Sequence, residues 1–168
     1  MSLKSIMARG TVLLTAAGKM MQTLQVRLTA GEVKDTVEHF EPYGFTSNPL
    51  AGAEVLTMFF NGDRSHAVVV VAADRRYRIK ELAPGEVAIY TDEGDKVHFK
   101  RGRVIDIETN TLNIKATTAV NFDTPVINQT GKVVSTGDQI AGGVSQIGHV
   151  HTSVQAGSGN SGPPAAEA

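Results

Sequence analysis

The stretch that most limits the folds open to this chain begins after Gly102, where charged residues thin out and short apolar units recur. The units are Val104-Ile105-Asp106-Ile107, Leu112-Asn113-Ile114, Val120-Asn121-Phe122, Val126-Ile127-Asn128 and Val133-Val134-Ser135, and their starts lie 8, 8, 6 and 7 residues apart. A period near seven suits a coiled coil, but Thr, Asn, Gly and β-branched residues are poor helix formers. Alternation within each unit predicts short strands joined by tight turns instead. Each such strand has an apolar face of only two or three residues, and a single meander of them cannot bury enough surface to stand alone. A monomeric solenoid would have about five short rungs and no visible cap. Three copies wound about one axis bury all those faces and leave no free edge, so the repeat predicts an intertwined trimer.

The chain before the repeat also reads as β. Thr11–Leu14 and Thr23–Leu28 are short β-prone runs, and Ala30–Pro49 reads as a long mixed connection punctuated by Pro42, Gly44 and Pro49. Glu54–Phe60 and the valine run Ala67–Ala72 flank Asn61-Gly62-Asp63, a strong hairpin signal. The valine run predicts a strand buried on both faces. Arg75–Ile79 alternates, Pro84-Gly85 breaks the chain, and Val87–Thr91 with Val97–Lys100 form a hairpin around Glu93-Gly94-Asp95. Five or six short strands with one long loop predict a small Greek-key barrel of OB type over roughly residues 9–101. No stretch carries a 3.6-residue period.

The 168 residues allow one or two small domains. A net charge of -1 gives no global attraction to nucleic acid or anionic lipid. The lack of cysteine removes disulfides, thiolate metal sites and Cys nucleophiles. No apolar run approaches the ~20 residues of a membrane helix. Trp is absent and aromatics are few, which predicts a thin or shared core. Residue 1 is not assumed to be a natural start, which leaves open that upstream residues are missing.

Gly148-His149-Val150-His151 closes the repeat region. Imidazoles at i and i+2 of a strand face the same way. One chain offers two nitrogen ligands, too few for a metal, whereas a threefold assembly offers six, an octahedral shell that disfavours tetrahedral zinc. Affinity order does not choose iron over nickel or cobalt. The filled shell would leave no open position, which predicts a structural metal.

Several stretches together resemble a known family. They are Asn61-Gly62-Asp63-Arg64-Ser65-His66, Asp74-Arg75-Arg76-Tyr77-Arg78, Pro84-Gly85-Glu86-Val87-Ala88-Ile89-Tyr90, the Thr/Asn/Val repeat, and His149-Val150-His151 followed by Ser161-Gly162-Pro163-Pro164. This set resembles the central spike (baseplate assembly) proteins of phage Mu and its kin, and the His-x-His apex is shared with the phage P2 spikes. The resemblance covers nearly the whole chain. It implies a homotrimeric membrane-piercing needle on a contractile tail, with an OB-fold collar, a triple-stranded β-helix shaft and an iron ion at the tip held by His149 and His151 of three chains. The expected organisation is a collar over residues 1–101, a shaft over 102–147, and a metal-binding apex with C-terminal tail over 148–168. The expected partners are two further copies, tail hub and baseplate proteins through the OB domain, and transiently the bacterial outer membrane. The expected place is the virion, at the tip of the tail baseplate, with the host cytoplasm during assembly.

Other candidates weigh less. Asp106, Glu108, Asn121, Asp123, Asn128 and Asp138 are polar groups within the shaft that threefold symmetry would triple, suiting calcium or support of an axial anion such as chloride. Asp138, just before the Gly-rich approach to the tip, is favoured for calcium. Gly157-Ser158-Gly159-Asn160-Ser161-Gly162 matches a dinucleotide motif by letter, but lacks a βαβ context and leads into Pro163-Pro164. These small residues are expected to let the chain fold back beside the histidines. His39, His66 and His98 read as ordinary barrel residues. Arg75, Arg76, Arg78, Lys80, Lys96, Lys100, Arg101 and Arg103 make the late strands basic, and the rival function is an OB-fold single-strand nucleic-acid binder with a low-complexity tail. Stacking platforms are few and neighbouring acids offset the charge, so a solvated face or protein-docking collar is expected, with no nucleic acid. No spacing supports a catalytic constellation, and the chain is not expected to be an enzyme.

Overall fold

A computed structural model of the chain describes residues 6–153, 155 and 157. The described residues contain strands and single 3-10 turns and no α-helix. The chain divides into two units, Met1–Ile114 and Lys115–Ala168.

In the first unit, β1 (Met7–Ala16), β2 (Thr23–Leu28), β3 (Val33–His39), β4 (Glu54–Phe59) and β5 (Ala67–Ala73) close a barrel in the order β1-β2-β3-β5-β4. Neighbours are antiparallel except β3 with β5, the arrangement of an OB-like barrel. Alternation in β4 turns Val55, Thr57 and Phe59 inward. They meet Val12, Leu24, Val26, Leu28, Val37 and Val69 in one core. Each fully buried apolar side chain contributes about 1.5–3 kcal/mol, so this small core suffices for a barrel of five short strands. Gly10 lies where β1 approaches β2 most closely: a Cβ there would stand 2.5 Å from the Arg27 carbonyl oxygen.

The barrel departs from the sequence reading in four ways. Ala30–Pro49 holds a full strand, β3, whose alternation is masked by charged residues on its outer face. The valine run is not buried on both faces: Val68 and Val69 are, while Val70 and Val71 are exposed. Pairing of β5 with β3 stops at Val68 and Val69, and the β4–β5 register shifts at this point, so the outer half of β5 lies open. Arg75–Ile79 is not a strand, because Asp74 accepts the Arg76 N–H at 3.0 Å and its side chain as well, bending the chain. The hairpin at Val87–Lys100 lies outside the barrel, which is already closed at Ala73.

That hairpin forms a separate antiparallel sheet, β6 (Val87–Tyr90), β7 (Lys96–Lys100) and β8 (Val104–Glu108). Its register sets Val87, Phe99 and Ile105 in one row and Ile89, Val97 and Ile107 in the next. Directly opposed residues share a face, so all six line one side, and five of them are exposed. The other side is polar, with Lys96–Glu108 at 2.7 Å and Lys100–Asp106 at 3.0 Å. Glu86 braces this sheet by accepting the N–H groups of Ala83 at 3.1 Å and Arg101 at 3.0 Å, with His98 Nε2 at 3.1 Å. The Arg101 and Ala83 N–H groups, in that order, hold its carboxyl below the ordinary glutamate value.

Of the five repeat units, only Val104–Ile107 is a paired strand within the chain. From Thr109 to Asp138 the backbone forms bends and no strand, and makes no backbone–backbone hydrogen bond among the described residues. Leu112, Ile114, Val120, Phe122, Val126, Ile127, Val133 and Val134 are all exposed. In the second unit β9 (Ile140–Ala141) and β10 (Val144–Ser145) make a small hairpin. Gly142 and Gly143 turn it with φ of 57° and 84°, positive at both positions as a type I′ turn requires.

Candidate metal centre at the paired imidazoles

The β9–β10 hairpin sets up the residues that follow it. Asp138 precedes β9, and its carboxylate accepts the Ile147 N–H at 3.1 Å. The Ser145 hydroxyl at the end of β10, more strongly than the Ile147 N–H, draws the Asp138 carboxyl below its ordinary value. Ser145 Oγ in turn accepts the Gly148 N–H at 2.7 Å. The Ser145 carbonyl lies 2.8 Å from His149 Nδ1. A carbonyl only accepts, so Nδ1 carries the proton and Nε2 keeps its lone pair for a ligand.

His149 and His151 are brought together, with ring centroids 5.2 Å apart at an interplanar angle of 79°. Both are exposed. Among the described residues no group of three or more His, Cys, Asp or Glu side chains gathers to hold a metal. One chain therefore presents two imidazoles, side chains that suit a first-row transition metal, and an incomplete shell.

Asp138 precedes β9, where its Oδ1 already accepts the Ile147 N–H. Of the other polar candidates, Asp106 and Glu108 pair with lysines, and Asn121, Asp123 and Asn128 are exposed. The remaining histidines have local roles. His39 is buried, with Nδ1 3.1 Å from Gln22 Nε2, and His66 lies against Phe60 with centroids 5.0 Å apart. His98 belongs to β7, outside the barrel. Four of the eight residues of the basic strip are neutralised: Arg75 pairs with Glu54, Arg76 with Asp74, and Lys96 and Lys100 as above. The expected fold-back of the tail from Ser158 onward lies outside the described residues. Sequence reasoning missed Ser145. The signal was Gly142-Gly143 between Ile140-Ala141 and Val144-Ser145, a two-residue hairpin signature.

An OB-like barrel, followed by an apolar repeat whose units from Leu112 to Ser135 form no strand among the described residues, and then by an imidazole pair, defines a class of all-β proteins in which the barrel is the self-sufficient part. The family described as bacteriophage Mu Gp45, N-terminal, matches residues 9–76, which spans nearly all of that barrel. The chain is 39% identical over 129 residues to the baseplate puncturing device gp45 of Escherichia phage Mu, covering 76% of this chain and 65% of that protein. It is 35% identical over 161 residues to the Mu-like prophage FluMu protein gp45 of Haemophilus influenzae, covering 89% of this chain and 87% of that protein. The chain belongs to the phage Mu gp45 family.

Proposed function

We propose that this chain is one of three identical subunits of a spike at the tip of a phage contractile-tail baseplate, and that the spike pierces the bacterial outer membrane when the tail contracts. The observation that carries this reading is the set of apolar side chains left exposed by the single chain. They run from Val87, Ile89, Phe99, Ile105 and Ile107 on one face of the β6–β8 sheet to the repeat at Leu112–Val134, whose backbone from Thr109 to Asp138 has no backbone partner among the described residues. Two further copies would supply both the missing strands and the missing core. This extends the self-association surface upstream of residue 102, to Val87. The phage Mu relative's description as a baseplate puncturing device supports the same role.

In this reading the work is mechanical. Stiffness comes from strand pairing between chains around a shared apolar axis. The barrel seats the spike on tail hub or baseplate proteins, and residues 148–168 form the apex. His149 and His151 of each chain would hold a structural iron, which supplies a crosslink between the three chain ends where fraying would begin. A set of imidazoles fits such an ion, and His149 Nε2 is the available donor. Calcium at Asp138 and an axial anion such as chloride are secondary parts of the proposal, to be checked by the effect of calcium chelation on thermal stability.

Light-scattering mass together with elemental analysis tests the whole reading. The expected result is a trimer with about one iron per three chains. A monomer would overturn the spike, and a metal-free trimer would overturn only the apex. Salt-dependent binding of single-stranded oligonucleotides would favour the rival function.

A further inference from the structure

We propose that Asp138 and Ser145 are positioning residues for His149, setting which ring nitrogen it offers to a metal; this inference rests on the metal centre proposed above. The contacts hold one turn. The Ser145 oxygen takes the Gly148 N–H at 2.7 Å. Asp138 also takes the Ile147 N–H at 3.1 Å. The Gln146 N–H reaches the Gln139 carbonyl at 2.9 Å, which extends the β9–β10 ladder into the same turn.

The turn from Ser145 to Gly148 is therefore pinned at three successive N–H groups. A turn held in this way leaves the Ser145 carbonyl facing His149 Nδ1 at 2.8 Å. The carbonyl forces the Nδ1–H tautomer and frees Nε2. A neutral imidazole without such a partner populates both tautomers and rotates freely, and both losses weaken metal capture. In this role Asp138 does not touch the transition metal. Its carboxylate acts through the Ile147 N–H and the turn which that contact holds.

The test uses Ser145→Ala, which removes the hydroxyl, and Ser145→Thr, which keeps it. Asp138→Ala serves as a second probe of the same chain of contacts. Nitrogen-15 histidine spectra of chelator-stripped full-length protein, at mildly alkaline pH and with His149→Ala for assignment, read the tautomer directly. Wild type and Ser145→Thr should show His149 protonated at Nδ1, and Ser145→Ala should show a mixture. Titration of the same proteins with Ni²⁺ should weaken by roughly 10–100-fold in Ser145→Ala and Asp138→Ala and be nearly unchanged in Ser145→Thr. Mass and far-ultraviolet dichroism identify any variant that fails to assemble. If wild type binds Ni²⁺ and Ser145→Ala keeps both its tautomer and its affinity, the positioning role is wrong while the metal centre stands. If wild type takes up no Ni²⁺ or iron, the metal centre fails and this inference with it.

Discussion

Ile107→Ser isolates the contribution of the β6–β8 apolar face to assembly. Ile107 ends the row Ile89–Val97–Ile107 and is 55% exposed in the single chain. Full burial of an isoleucine contributes about 1.5–3 kcal/mol, and with 55% still exposed close to half of that remains to be gained when copies meet. The loss on substitution is then about 1 kcal/mol per chain and about 3 kcal/mol per trimer. At about 1.4 kcal/mol per tenfold, the trimer should dissociate roughly a hundredfold more readily. Asp106→Ser is the control, one residue away on the opposite face, where its exposed pair with Lys100 contributes little. Sedimentation equilibrium over a dilution series reads both. If the two variants dissociate at the same concentration, or if wild type is a monomer throughout, the apolar face is not an interface between copies.

Three predictions concern the barrel. Thr57 Oγ1 is fully buried without a hydrogen-bond partner, so Thr57→Val should raise the unfolding temperature by the equivalent of about 1 kcal/mol; a lowered one would mean that a buried water serves the hydroxyl. In Gly10→Ala the new methyl would stand 2.5 Å from the Arg27 carbonyl oxygen and 2.9 Å from Leu28 Cδ2. The β1–β2 pair must spread, at a cost of about 1–3 kcal/mol in urea unfolding, and an unchanged midpoint would refute the close approach. Burial pushes the His39 pKa below its ordinary 6.5, against the opposing pull of Glu41. The unfolded chain therefore binds the extra proton first, so His39 destabilises the barrel as pH falls from 6.5 toward its folded value. Urea midpoints of wild type should drop across that window, and those of His39→Gln should drop less.

Much of the barrel was legible because its strands announce themselves by composition and turns. Thr23–Leu28 and the two runs flanking Asn61-Gly62 are strands, as read. β3 was hidden because Lys34, Asp35, Thr36 and Glu38 put polar groups on most of its length, and only Val37 and His39 point inward. The valine run was misjudged for the opposite reason: composition reports apolarity but not where the neighbouring strand stops, and β3 leaves β5 after two residue pairs. The hairpin at Val87 read as part of the barrel because a local pattern does not say which sheet it joins. At the candidate site, spacing found His149 and His151 and the structure brings their rings together. The role of Ser145 was not legible, since it depends on a backbone carbonyl, which has no letter in a sequence.

The unpaired backbone from Thr109 to Asp138 also has a consequence in time. A newly made chain can complete its barrel from local strand pairs alone, at a rate independent of how many copies are present. The repeat has nothing to pair with until other chains arrive, so under the trimeric reading its folding is an encounter and slows with dilution. Until then its amide hydrogens exchange freely and its valines and isoleucines are open to wrong partners. Low expression, heat or a substitution at Phe122 or Val134 would then strand chains with a sound barrel and an unmade repeat, a defect of yield that the stability of the finished assembly would not reveal.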